Sequence, residues 1–289
     1  MRFDPEEQRI YVRQSWVGDA LICPQRSRYA LAMPTMRRGS DATAIGTGVH
    51  AGIEKYLTGE ITDLDGFQEY TQLVVASELD KDIKKTGLTD DPENLKACVD
   101  SMAQGWWDSI RPSVVLGGMV EHKFQAPLNV HATNGYGVWL EGTIDYVAPD
   151  GVLWDWKTSS RTYYAREKQA QSHQATCYIT ACRTLGLIPD TDTPSLFRFG
   201  VMVRQPTPKA QIVTVSRGHD QVSWFRRQVL SVVNTAVTAW GQPDWPMNDQ
   251  HSLCSSKWCD YWSVCKGAHW RDSDLDLPNQ TVDMPEGTV

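Results

Sequence analysis

Apolar positions recur at helical spacing over residues 41–86, with a polar break at 59–65, and again over 94–110, where Arg111-Pro112 closes the segment. The period then changes. Residues 119–126, 136–147 and 152–156 alternate between apolar and polar and are separated by turn residues, which predicts three strands. A helix over 165–185 ends at Gly186, strands over 196–204 and 211–216 are joined across Pro206 and Pro208, and a long helix runs over 220–240. This order predicts an α/β (α+β) fold, a small central mixed sheet flanked by helices, in one domain over residues 1–270. The segment after Cys265 turns polar and acidic, so residues 271–289 are expected to form a disordered tail.

Composition narrows the function classes a little. No apolar run approaches the ~18 residues that a membrane span needs, and the charged start Met1-Arg2-Phe3-Asp4-Pro5-Glu6-Glu7 does not read as a signal peptide. Cytoplasmic residence and no membrane partner are the expectation. A net charge of −7 excludes a broadly basic nucleic-acid coat but leaves room for local contacts. Arg37-Arg38, Arg161 with Arg166 and Lys168, and Arg226-Arg227 are such patches, each equally readable as solvated surface. Seven cysteines without an export signal argue against a disulfide framework and point to metal where they cluster.

The stretch from Glu141 to Thr158 carries the most chemistry. Pro149-Asp150-Gly151 is turn chemistry, so the flanking runs should pair as a hairpin with Asp145 opposite Asp155. Alternation puts Asp155 and Lys157 on one face and Trp154 and Trp156 on the other. Two carboxylates and an ammonium then converge, as a Mg²⁺ or Mn²⁺ site acting on a phosphodiester would require. An Asp-X-Lys triplet alone is common and reads as an incidental ion pair; the aspartate across the turn makes the pattern specific. Upstream, His50 and Glu54 share a helical face, and imidazole beside carboxylates suits Mn²⁺ better than Mg²⁺. Downstream, Gln174 and Tyr178 share a face of the helix over 165–185, which also carries an ordinary apolar stripe of Ala175, Ile179 and Cys182.

In this order the motifs resemble the RecB-like branch of the PD-(D/E)XK nuclease superfamily, including the CRISPR-associated exonucleases that carry an iron–sulfur cluster. The resemblance runs from about residue 15 to 265. It implies metal bound by His50, Asp145, Asp155 and the Trp156 carbonyl, with Asp145, Asp155, Lys157, Gln174 and Tyr178 as the catalytic set. Glu54 and Glu121 would stand behind these ligands. The implied activity is a metal-dependent DNA exonuclease preferring single-stranded ends, with recombination, helicase or CRISPR-adaptation proteins as partners. A restriction-type endonuclease and a non-catalytic DNA-binding or recombination module are the rival readings.

Cys254, Cys259 and Cys265 fall within twelve residues, enough to wrap one soft metal centre that lacks a fourth ligand. The resemblance supplies Cys23 as that ligand and a 4Fe–4S cluster as the group. Relatives often space the first pair of the trio by two residues, whereas four separate Cys254 from Cys259 here, and a tetrahedral zinc site is the alternative. Cys98, Cys177 and Cys182 read as buried thiols.

Overall fold

The computed structural model describes residues 1–36, 41–86 and 92–266. Arg37-Arg38 and the acidic segment 271–289 lie outside the described residues. The chain opens with two short strands, β1 (Arg2–Asp4) and β2 (Arg9–Val12), paired antiparallel around a turn in which Gln8 takes a left-handed φ of 50°. Two nine-residue helices follow, α1 (Gln14–Ile22) and α2 (Pro24–Ala32). Pro24 sits at the first position of α2, where its missing N–H has no intrahelical partner to lose. None of these four elements is among the sequence expectations, and the three- and four-residue strands are too short to display a period.

The expected helical region consists of α3 (Asp41–Leu57), α4 (Leu64–Thr86) and α5 (Pro92–Gly105). A single π turn (Trp106–Ile110) and a 3-10 turn (Arg111–Ser113) close it. Next come β3 (Met119–His131), β4 (Gly137–Val147) and β5 (Leu153–Ser159), the first and last extending beyond the sequence expectation. The expected helix over 165–185 is two helices, α6 (Ala165–Gln171) and α7 (His173–Thr184), broken at an extended Ser172. Ser172 caps α7 by accepting from the Ala175 N–H at 3.2 Å. The buried Arg217 guanidinium holds the break by donating to the carbonyls of Lys168 and Ser172 and to Thr176 Oγ1. The chain continues through β6 (Ser195–Val203), β7 (Ala210–Arg217) and α8 (His219–Thr238).

The seven strands form one mixed sheet in the order β1-β2-β4-β5-β6-β7, with β3 on the other edge of β4. The pairs β2–β4 and β5–β6 are parallel and the rest antiparallel. Apolar side chains of α1, α7 and α8 pack with Leu153, Phe197, Phe199, Val213 and Val215 in one core, while α3, α4 and α5 pack with Tyr146, Trp154, Trp156 and Met202 in a second. The central sheet flanked by helices is the expected architecture.

One close approach fixes α3, which carries His50. A Cβ on Gly48 would stand 2.3 Å from Val75 Cγ2 and 2.9 Å from the Thr71 carbonyl oxygen, so α4 sits directly on a side-chain-free surface. Gly48→Val must push α4 away from a well-packed face and should cost about 2–3 kcal/mol. Thermal denaturation checks this; an unchanged melting temperature would contradict the seating of α4.

Candidate active site and metal centre

Ladder pairing of β4 with β5 is limited to Tyr146↔Trp154 and Val147↔Leu153. The turn between them closes with the Ala148 N–H bonded to Val152 O, and Gly151 takes a φ of 79° that a side chain would resist. Beyond these pairs the strands splay. Continuing their register sets Asp145 opposite Asp155, as the sequence predicts, and the Trp156 N–H is satisfied by the Asp145 carboxylate at 2.8 Å. Trp154 and Trp156 stack with ring centroids 5.3 Å apart in the second core, leaving Asp155 and Lys157 on the opposite face.

The splayed hairpin meets α3 and α7. His50 Nε2 lies 2.7 Å from the Trp156 carbonyl and Nδ1 lies 3.4 Å from Asp145 Oδ2. Gln174 donates to Asp155 Oδ1 at 2.6 Å, and Lys157 Nζ stands 2.6 Å from Asp155 Oδ2. That second carboxylate oxygen is buried, and the lysine contact lies off the line of a hydrogen bond, so no aligned donor satisfies it. Tyr178 comes up one turn after Gln174 and rests edge-on against Phe124, at 6.0 Å between ring centroids. All of the sequence-predicted residues His50, Asp145, Asp155, Trp156, Lys157, Gln174 and Tyr178 therefore stand around the splayed hairpin.

Glu121 enters the site directly, which the sequence did not indicate. The β3–β4 register runs Val120↔Tyr146 and His122↔Ile144, so Glu121 faces Asp145 across the ladder. Its backbone sits in the left-handed region, φ 46°, a costly conformation for a residue with a side chain and one that clusters at functional sites. Donor atoms of His50, Glu121 and Asp145 all lie within 4.8 Å of one another. Counting from the β3–β4 connection at 132–136 would pair 121 with 147, because the register shifts by two between Pro127 and His131, so the pairing of 121 with 145 is not readable from the sequence. Glu54 contributes its negative charge near Glu121.

Crowding these acids has an electrostatic consequence. Burial, reinforced by Asp145, Glu54 and Asp155, raises the Glu121 carboxyl from an ordinary 4.5 to about 7. Burial raises Asp145 and Asp155 from 3.8 to about 6, against the opposing pull of the Trp156 N–H and of Lys157. The His50 imidazole is lowered by burial, so it is neutral and able to offer a lone pair at neutral pH. Hard carboxylate oxygens, a neutral imidazole and a carboxylate oxygen without an aligned donor fit Mg²⁺ or Mn²⁺. Because the folded pKa values lie above the unfolded ones, the metal-free protein gains stability from protonation below about pH 4 and loses it as pH rises through 6 and 7. The melting temperature of metal-free protein should fall between pH 5 and pH 8, and added Mn²⁺ should restore most at the upper end. A metal-induced shift greatest at pH 5 would contradict this.

Between Leu140, the last partner of β2, and Tyr146, the first partner of β5, one edge of β4 is unpaired over 141–145. A cavity of about 710 Å³ opens along it, lined by residues that include Arg13, Lys123, Glu141, Thr143 and Tyr178.

The four predicted ligand cysteines converge on a separate cavity. Cys23, Cys254, Cys259 and Cys265 carry free thiols and line one cavity of about 30 Å³ with Tyr29, Tyr261 and Trp262. Trp258 gives no shelter there, being 57% exposed, whereas Tyr261 is buried. The chain ends are tied around the cavity by Gln25, whose N–H bonds the Pro246 carbonyl and whose side chain bonds the Trp245 N–H and Asp244. Tyr29 donates to the Val264 carbonyl and stacks on Tyr261. Burial and the neighbouring thiols raise the pKa of Cys265, and burial does the same for Cys254, an arrangement that a bound cation would relieve. Cys98, Cys177 and Cys182 are buried in helices, as expected.

A mixed sheet whose splayed hairpin carries facing carboxylates and a lysine, met by a histidine from α3, is the arrangement of a nuclease that uses metal. The chain belongs to the PD-(D/E)XK nuclease superfamily, whose family model matches residues 20–266. Enzymes of this superfamily use divalent metals such as Mg²⁺ or Mn²⁺. The chain has no match among curated protein sequences. Among solved structures it is similar to a candidate exonuclease from Eubacterium rectale, with a TM-score of 0.51 and 12% identity over 88% of this chain and 92% of that one. It also aligns with SSO0001 at a TM-score of 0.36 and 10% identity, over 91% of this chain and 88% of that one. At these identities the likeness concerns the fold, and the second is too distant to argue from. No helix among the described residues is long and apolar enough to cross a membrane.

Proposed function

We propose that the chain is a DNA exonuclease that hydrolyses phosphodiester bonds from single-stranded ends. The observation that carries the reading is the meeting of His50, Glu121 and Asp145 within 4.8 Å, beside the Asp155–Lys157 pair. His50, Glu121, Asp145, Asp155 and the Trp156 carbonyl are the groups that would hold Mg²⁺ or Mn²⁺. Such an ion supplies positive charge that polarises the phosphate and makes water a better nucleophile. Gln174 fixes the orientation of Asp155 by its hydrogen bond, and the Trp156 N–H fixes Asp145. Asp155 raises the Lys157 pKa despite burial, so the ammonium stays charged and can stabilise developing negative charge on phosphate oxygen. Tyr178 lines the adjoining cavity, where it can meet the strand.

In the same reading Cys23, Cys254, Cys259 and Cys265 hold a 4Fe–4S cluster. The four thiols lining one cavity with Tyr29, Tyr261 and Trp262 support a shared metal group, and a tetrahedral zinc site is the rival. The preference for strand ends rests on the resemblance to iron–sulfur nucleases that process ends.

End-labelled linear single strands, blunt duplex and closed circular single strands, each with Mg²⁺ or Mn²⁺, test the function. Linear single strands should be degraded fastest and circles scarcely touched, with chelator abolishing all cleavage. Efficient cutting of circles would replace the exonuclease reading with an endonuclease. No cleavage of any substrate would favour a DNA-binding module.

A further inference from the structure

The cavity beside the metal centre has a feature that the catalytic set does not use. Arg13, 70% exposed, donates only its Nε to Glu141, so its terminal nitrogens make no hydrogen bond among the described residues. Lys123 is exposed and has neither an ion-pair nor a hydrogen-bond partner among the described residues. Arg2 donates to the other oxygen of Glu141. Two cations, Arg13 and Lys123, thus line the cavity with a single anion, Glu141, on a chain whose net charge is −7. Lys123 and the free terminal nitrogens of Arg13 therefore stand along one concave wall, beside the strand positions that carry Glu121 and Asp145.

The strand register sets their spacing. Lys123 pairs with Thr143, two residues from the facing Glu121 and Asp145, and Gln125 pairs with Glu141, the partner of Arg13, four residues away. At ~3.3 Å per residue these positions lie about 7 Å and 13 Å from the metal centre, a spacing suited to successive phosphates of an extended strand. On the edge of β4 away from β3 no strand pairs over 141–145, so the backbone there leaves the approach open.

We propose that this cavity is a subsite for the uncut continuation of a single DNA strand, in which Lys123 binds the nearer phosphate and Arg13 the farther. The proposal rests on the reading of the chain as a DNA-cleaving enzyme. Glu141 holds Arg13 and Arg2 in place when no strand is bound and yields Arg13 to phosphate when one is. Specificity for DNA sequence is not expected, because phosphate contacts position a strand without reading its bases.

The test measures binding of labelled oligothymidylates of 4 and 20 nucleotides to the full chain in chelator, across a salt series. Arg13→Ala and Lys123→Ala should each weaken binding of the longer strand by roughly three- to tenfold and reduce the slope of log affinity against log salt by about 0.7. The preference for 20 over 4 nucleotides should narrow in both, and Lys123→Arg should restore it. Glu141→Gln should tighten binding by freeing the guanidinium groups, whereas a purely structural pair predicts the reverse. Wild-type affinity and slope in both alanine variants, or looser binding by Glu141→Gln, overturns the subsite. Failure of the wild-type protein to cleave DNA with any divalent metal overturns the nuclease reading instead, a separate result.

Discussion

Lys157→Ala is expected to lower kcat for DNA cleavage by a factor of about 10²–10³ or more, the loss typical when a charged or hydrogen-bonding group aimed at developing negative charge is removed. Affinity for DNA should change far less, since the phosphate-tracking cations lie elsewhere. Two effects of the lysine must be separated. Its ammonium sits 2.6 Å from the buried Asp155 Oδ2, so its removal leaves a buried carboxylate without its counter-charge. That loss alone would destabilise the metal-free protein and push the Asp155 pKa higher still. The variant should therefore melt at a lower temperature without metal and recover much of the difference with Mn²⁺, while cleavage remains lost. Asp155→Asn removes the charge instead. It should spare metal-free stability, because the carboxyl is already pushed up to about 6, and abolish cleavage by weakening metal binding. Cleavage at the wild-type rate by Lys157→Ala, with normal folding, would sink the catalytic assignment.

Much of this site is legible in the sequence because it is local. The turn at Pro149-Asp150-Gly151 fixes the register out to Asp145 and Asp155, five residues on either side of Asp150, and the period of two assigns Asp155, Lys157 and the two tryptophans to their faces. His50 and Gln174 come from separate helices, and their arrival at the hairpin is not readable from spacing; it came from the family pattern. Glu121 is different in kind. Its role follows from non-local pairing with Asp145 and from a left-handed backbone that no propensity would assign to glutamate. The break at Ser172 is likewise set from a distance, by an arginine 45 residues further along the chain. Neither glycine nor proline marks it, so the periodic run 165–185 reads as one helix. The short strands β1 and β2 escape notice for want of length, and Arg13, at the end of β2, escapes with them.

Cys23→Ser should have the largest effect on stability of any change outside the core, because of the length of chain it closes. In the proposed cluster Cys23 is joined to a trio beginning at Cys254, so the bridge spans more than 200 residues. The chain-entropy relation for a crosslink of that reach gives about 5 kcal/mol, to which metal–thiolate binding adds its own contribution. The apolar core does not compensate, since the segment after Trp245 is held to α1 and α2 largely by hydrogen bonds through Gln25, Tyr29 and Asn248. Protein purified without oxygen should be brown and contain iron and acid-labile sulfide. Cys23→Ser and Cys254→Ser should bleach it, lower the melting temperature steeply and loosen residues 246–266 to proteolysis. Cys98→Ser, at a buried helical thiol, should leave the colour intact. The cluster and the nuclease centre are also separable: metal-dependent cleavage should survive in whatever fraction of Cys254→Ser remains folded, because none of the four thiols belongs to the His50–Glu121–Asp145 group. A colourless wild-type protein holding one tightly bound zinc would overturn the cluster, and the crosslink argument would then pass to zinc with its length dependence unchanged.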